Sequence, residues 1–280
     1  MRDIYVGIAI VLSLSVLLGI LSYRVGRRRS RWVSVGLILS AVVLLVLNVA
    51  FFRHSLWPAK VLPFTNLIVL SDPNPELVAI LIGVGAALTA GSAARRSVLL
   101  VPLAVLCLWA SYAPIFREPP RLRNYWRGGV CRQTSMASCV PAAAATLLAS
   151  YGIPASENEM ARLCLTTDEG TSVRGLYRGL LLKTRGTPYR VEPFRGTLDD
   201  LKTVSSPVIL TVRLDPGPGV DPRYHQEWGW APGVPHSLVF FGCREDGRFE
   251  IGDPAVGREF WFGDAIKTLW HGDGVRLVKR

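Results

Sequence analysis

Four stretches of the chain carry no charged side chain: residues 4–23, 32–52, 77–94 and 97–116. Each is apolar over roughly one bilayer thickness, because a helix rising about 1.5 Å per residue needs about 20 residues to cross the hydrocarbon core. The pattern predicts a membrane domain over residues 1–116 with four transmembrane helices. A fifth apolar stretch, 61–70, is too short to span and holds Pro63 and Asn66, so it is expected at the membrane surface or as a re-entrant loop. The first run is long for a signal peptide, lacks a small-residue cleavage site and is followed directly by arginines, which reads as an anchor that stays.

After Phe116 the pattern breaks. The stretch "FREPPRLRNYWRGG" has no sustained period and reads as a linker over residues 117–128. The remainder, 129–280, has the size of one domain. Its first half has helical period. One helix runs from Cys139 to Tyr151 and stops at Gly152, a residue suited to ending helices. A second opens at Ser156 with Glu159 three residues later, the capping-box spacing. A third opens at Thr171 or Ser172. The second half reads as strands: "PYRVEPF", "PVILTVRL", "HSLVFFGC", "RFEIGDP" and "GREFWF", the third and fourth joined by a hairpin at Asp246-Gly247. Helices followed by an antiparallel sheet make an α+β domain. The segment 215–235, rich in Pro, Gly and Trp, is a long loop of the kind that walls binding sites, with Trp228, Trp230 and Trp261 as candidates for an aromatic wall.

Charge changes the picture in two ways. The net charge of +11 splits into +7 on residues 1–116 and +4 on residues 117–280. Most of the excess therefore lies in short membrane loops, where it sets orientation, and a nucleic-acid partner is not expected. Arg24, Arg27, Arg28, Arg29 and Arg31 lie between the first two spans, and Arg95 and Arg96 between the last two. The positive-inside rule puts both loops in the cytoplasm and the domain after Phe116 outside it. Arg117, Arg121, Arg123 and Arg127 pull the other way, and the balance favours the outer side. The spans hold no ionisable residue apart from Cys107, which leaves an ion or proton path little to use.

The candidate chemistry centres on Cys139. It stands where a polar loop meets an alanine-rich helix, and the unsatisfied N–H groups of a helix start favour a thiolate. Pro141 fits the first turn without costing a hydrogen bond. Of the four histidines, His54 is in a membrane loop, His225 in the long loop and His271 near the C-terminus. His236 alone opens an apolar strand. Asp253 closes the next strand across the hairpin, so both side chains are expected at one sheet edge, the carboxylate orienting the imidazole towards the thiol. Gln133, six residues before the cysteine, can donate its amide to an oxyanion, with the Cys139 N–H as second donor. Cys107 and Cys243 read as packing residues. Cys131 and Cys164 are consistent either with a disulfide or with two buried thiols.

These residues, with "SCVPAAAATLLASYG", "SENEMARLC", "GTSVRGLYRGL", "HSLVFFG", "IGDPAVG" and "LWHG", give residues 129–272 a resemblance to a known family. It is the bacteriocin-processing cysteine peptidases that cut double-glycine leader peptides. The resemblance implies a papain-like fold, with Cys139 as nucleophile, His236 as general base and acid, Asp253 as orienting carboxylate and Gln133 as oxyanion donor. It implies peptide-bond hydrolysis through a thioester, with a peptide or protein substrate and neither cofactor nor metal. Two departures stand out. Val140 replaces the family's usual glycine after the cysteine, which either narrows the cleft or marks a site without activity. The best-known members open an ABC exporter, whereas here the domain follows membrane spans and the chain has no G-x-x-x-x-G-K-[ST] phosphate loop. The sequence thus leads to a multi-pass, membrane-anchored cysteine peptidase. Its alternatives are an inactive papain-like peptide-binding or regulatory module, and a channel or scaffold whose spans carry the activity.

Overall fold

A computed structural model describes residues 1–52, 55–89, 93–217 and 220–280, so His54 lies outside the described residues. The chain divides into two compact units, Met1–Arg117 and Glu118–Arg280.

In the first unit the long helices are α1 (Arg2–Arg28), α2 (Arg31–Leu47), α4 (Asn74–Leu88) and α5 (Ala93–Tyr112); the short α3 (Leu67–Leu70) precedes α4. Three segments are long and apolar enough to cross a membrane: Arg2–Arg28, Arg31–Phe52 and Leu67–Leu88. The expected fourth run falls on α5 and the turn after it, whose apolar part Leu100–Phe116 is shorter. The third segment begins ten residues before the expected start at Leu77, because 67–70 turns helical and leads into α4. It therefore encloses Asp72 and Glu76, and the expectation of spans without ionisable residues other than Cys107 is corrected on this point. Asn48 donates to Asn74 Oδ1 at 3.0 Å and to Asp72 Oδ1 at 3.4 Å, giving these polar groups partners beside apolar helices. Helices α1 and α4 approach closely through small residues. A Cβ on Gly83 would lie 2.3 Å from the Gly19 carbonyl, so only glycine fits there.

The second unit is a mixed helix and antiparallel-sheet domain. A separate two-stranded hairpin, β1 (Tyr125–Arg127) and β2 (Val130–Arg132), leads into α6 (Cys139–Ala149), α7 (Glu157–Leu163) and α8 (Val173–Lys183). Then follow β3 (Tyr189–Arg195), α9 (Leu198–Thr203), β4 (Val208–Val212), α10 (Arg223–Gln226), β5 (His236–Cys243), β6 (Phe249–Asp253), β7 (Gly257–Trp261), α11 (Gly263–Leu269) and β8 (Trp270–Lys279). Six strands form one sheet in the order β3-β8-β4-β5-β6-β7, with every pairing antiparallel.

The local signals act as their chemistry dictates. Ser156 accepts from the Glu159 N–H at the head of α7, and Ser172 accepts from the Gly175 N–H at the head of α8. Gly247 takes φ +78° in the β5–β6 turn, where a residue with a Cβ is disfavoured. Alternation then sorts the sheet into two faces. Val208, Leu210 and Val212 of β4 join Leu238, Phe240 and Leu201 in one core cluster, while Ile209 points to the other face. Helix α6 packs against β5; Ala142 to Ala145 are fully buried, and their small side chains let helix and sheet come close.

Candidate active site

Cys139 is the first residue of α6, with Ser138 at the N-cap. Ser138 does not cap the helix with its side chain. It shapes the preceding loop instead, its hydroxyl accepting from Ser135 N at 3.0 Å and donating to Ser135 O at 2.9 Å. The thiol therefore sits at the positive end of the helix dipole on a loop held by its own side chains.

The sheet supplies the other two groups. Val239 pairs with Gly252, so Leu238 faces Asp253 and His236 is the diagonal neighbour of Asp253 on one face. The His236 Nε2 lies 2.8 Å from Asp253 Oδ1. The same oxygen accepts the Ala255 N–H at 2.6 Å, and the carboxylate is 3% exposed. With Nε2 engaged, Nδ1 is left for the thiol, and Cys139 hydrogen-bonds this ring. Burial disfavours a charged imidazole here. Hydrogen bonds to Asp253 and Cys139, and the negative charge of both, outweigh it and push His236 up to about 10. The arrangement keeps the ring protonated between the sulfur and the buried carboxylate.

Gln133 is brought to the same place by its backbone. Its N–H donates to Pro254 O at 2.9 Å, one residue beyond Asp253. Its side-chain Nε2 donates to Ser135 O at 3.3 Å, which leaves one amide hydrogen free, and its buried Oε1 has no hydrogen-bond partner among the described residues. Val140 is buried within α6, with 7% of its surface exposed.

Several supporting residues were not legible in the sequence. Arg132 donates from Nε to Pro254 O at 3.1 Å and from its second nitrogen to Ala255 O. It thus clamps the turn carrying Asp253 to the loop carrying Gln133. Gly257, at φ +115°, leaves room for the guanidinium, since a Cβ there would lie 3.1 Å from it. The wholly buried Glu157 accepts from Thr134 N and Thr134 Oγ1, both at 2.7 Å, and from Asn124 N at 3.3 Å. No spacing rule announces either contact, because each joins residues far apart in sequence.

Of the three tryptophans expected as a wall, Trp230 stands edge-on to His236 at 5.8 Å and Trp261 meets Trp230 at 5.9 Å. Trp228 packs instead on Tyr224. Trp261 donates to Glu259, a carboxyl raised by burial and held near Asp253, Arg132 and His236. His225 bonds the Trp230 carbonyl and His271 the Arg213 carbonyl. Cys131 and Cys164 are free and buried, and burial pushes both up to about 12. Of the two sequence alternatives the structure holds the buried thiols. Among the described residues no cluster of three or more His, Cys, Asp or Glu is placed to hold a metal ion.

Comparison with known proteins agrees with the resemblance seen in the motifs. Residues 128–215 match the Peptidase C39 family. That stretch holds Gln133 and Cys139 and ends before His236 and Asp253. Among solved structures, the chain is similar to the peptidase domain of Streptococcus ComA, a bi-functional ABC transporter involved in a quorum-sensing pathway. That match has 20% identity and a TM-score of 0.41, covering 54% of this chain and 98% of that one. It is also similar to a double glycine motif protease from an AMS/PCAT transporter in complex with the leader peptide, at 17% identity and a TM-score of 0.41, covering 58% and 97%. The peptidase domain of Streptococcus mutans ComA follows at 20% identity and a TM-score of 0.36, covering 54% and 98%. No curated protein matches the chain.

Proposed function

We propose that this chain is a membrane-anchored cysteine peptidase that hydrolyses peptide bonds with Cys139, His236 and Asp253. The observation that carries the reading is the hydrogen-bonded series from sulfur through imidazole to buried carboxylate, at a helix start and a sheet edge. The family match over 128–215 supports a peptide substrate and a cysteine nucleophile.

In this reading the Cys139 thiolate attacks the scissile carbonyl. The Cys139 N–H and the free Gln133 amide hydrogen receive the developing oxyanion. The imidazolium of His236 gives its proton to the leaving amine, and a thioester remains on sulfur. His236 then takes a proton from water, which attacks the thioester and frees the acid and the thiolate. Asp253 fixes the ring orientation throughout. The buried Val140 side chain belongs to the packing of α6, which favours activity over a blocked cleft. The Gln133–Ser135 bond favours the second reading, an inactive papain-like peptide-binding module, because an engaged amide is a weaker oxyanion donor. The three long apolar helices support anchoring in a bilayer. Four spans, with the loops at Arg24–Arg31 and Arg95–Arg96 cytoplasmic, put the peptidase domain outside the cytoplasm.

The test is cleavage profiling of the full chain in detergent against a peptide library, beside Cys139→Ala. Cleavage that disappears in the variant supports the peptidase. An intact chain that cleaves nothing, and whose Cys139 alkylates no faster than Cys243, supports the binding module.

A further inference from the structure

The arginines after the last apolar helix oppose the orientation set by the other loops, and the proposed chemistry makes no use of them. Arg121, Arg123 and Arg127 are all exposed, and Tyr125 between them is 53% exposed. Among the described residues none of the three guanidinium groups makes an ion pair or hydrogen bond. Glu118 is the single acidic side chain in residues 117–134, so the stretch carries a strong local excess of positive charge.

This surface is held in shape. β1 pairs with β2 alone and turns through Gly128 and Gly129, at φ +58° and +76°. Buried Glu157 grips both ends of the hairpin, through Asn124 on one side and Thr134 on the other. Arg123 N also donates to Thr134 Oγ1 at 2.9 Å. A disordered linker would let its arginines turn anywhere; here a clamped hairpin presents Tyr125 and Arg127, with Arg121 and Arg123 at its foot.

We propose that this hairpin is a docking surface for a bilayer carrying anionic phospholipid headgroups. The inference rests on the membrane-anchored part of the proposed function and not on its chemistry. Arg121 is five residues past Phe116, no more than roughly 18 Å of extended chain, so a lipid surface is always within reach. Guanidinium groups pair with phosphate through paired N–H donors, and tyrosine partitions to the headgroup level. Each basic side chain near an anionic surface changes occupancy by about fivefold, and three act together. Strand β2 ends at Arg132, immediately before Gln133, so lipid contact at the hairpin also fixes how the candidate active site is presented to the bilayer.

The test uses trypsin on the full chain in lipid nanodiscs, because Arg121, Arg123 and Arg127 are themselves cleavage sites. Arg195, whose side chain is 82% exposed, is the internal control. Discs of phosphatidylcholine alone are compared with discs holding about one-third phosphatidylglycerol. Cleavage at the hairpin, relative to Arg195, is expected to slow at least tenfold in the anionic discs and to recover in 0.5 M salt, which screens the attraction. In R121Q/R123Q the slowing at the remaining site, Arg127, shrinks to no more than about fivefold, the share of one basic side chain. An equal ratio in both kinds of disc overturns the proposal, as does slowing that high salt does not relieve or that soluble glycerophosphate reproduces. A chain that enters neither kind of disc overturns the anchor and the docking surface together.

Discussion

Cys139 and Cys164 sit at opposite kinds of helix end. Cys139 heads α6, where backbone N–H groups face the sulfur; Cys164 is the C-cap of α7, where carbonyl oxygens gather. Cys139 is half-buried beside His236, whereas Cys164 is fully buried and pushed up to about 12 even though Arg178 works in the opposite direction. Cys164 is also boxed in, since a Cβ on Gly179 would lie 2.3 Å from its sulfur. One functional group thus meets two fates within twenty-five positions of sequence. Helix polarity, access and an adjacent imidazole separate a nucleophile from a packing residue, and none of these is a property of cysteine itself.

The strongest way to break that contrast is to remove the imidazole. In His236→Ala, alkylation of Cys139 by iodoacetamide at pH 7 is expected to slow by about 10³-fold, towards the rate of an ordinary thiol. Mass spectrometry of each cysteine-containing peptide reads this directly, and an unchanged rate would remove the histidine from the mechanism. The same variant carries a stability signature. His236 is raised in the fold, so its protonated form stabilises the folded chain fully below its ordinary range near 6.5. That contribution declines as pH rises and is lost through about 10. Wild-type Tm should therefore fall across that window by more than the Tm of His236→Ala.

Asp253→Asn keeps the shape but removes the charge that holds the ring. Alkylation is expected to drop about 10²-fold, with the His236 titration moving to lower pH in NMR spectra. Arg132→Gln loosens the turn beneath Asp253 without touching the thiol. Roughly a tenfold loss of peptide cleavage is expected, carried by kcat more than by KM, because the oxyanion loop and the carboxylate turn then shift independently. The smallest effect on chemistry comes from the other thiol. Cys164→Ser should leave Cys139 alkylation unchanged and lower unfolding stability by about 1–3 kcal/mol, the cost of a hydroxyl buried without a good partner. A change in the Cys139 rate there would mean that the two sites are coupled.

What could be read from sequence was what short-range chemistry controls. The thiol at a helix start, the Ser156 and Ser172 caps and the turn at Asp246-Gly247 each depend on a few neighbouring residues. His236 and Asp253 were legible together because a tight hairpin returns both strand ends to one sheet edge, but the register shift between Phe240 and Gly242 that sets them on one face was not. The inner strand β8 was not legible. Gly272, Asp273 and Gly274 interrupt its alternation, and Gly274 is required by a partner far away, since a Cβ there would lie 2.6 Å from the Ile209 carbonyl. The Arg132 clamp reaches across 122 positions, and no local pattern encodes it. In the membrane unit, counting charge-free residues started the third segment at Leu77. The segment tolerates Asp72 and Glu76 because Asn48 and the Asn74 N–H offer Asp72 partners just before α4, and Glu76 lies in the first turn of that helix.

The place of β8 in the sheet also governs how the domain is made. β3 hydrogen-bonds only with β8, although α9, β4 to β7 and α11 all lie between them in chain order. On a ribosome adding about 5–20 residues per second, β3 therefore waits several seconds with a row of unanswered amides. Pro193, which has no amide to offer, and the charges of Arg190, Glu192 and Arg195 suit a strand that must stay unattached to strangers during synthesis. Until β8 emerges, β3 is thus a strand edge open to mispairing, and those local features are its protection.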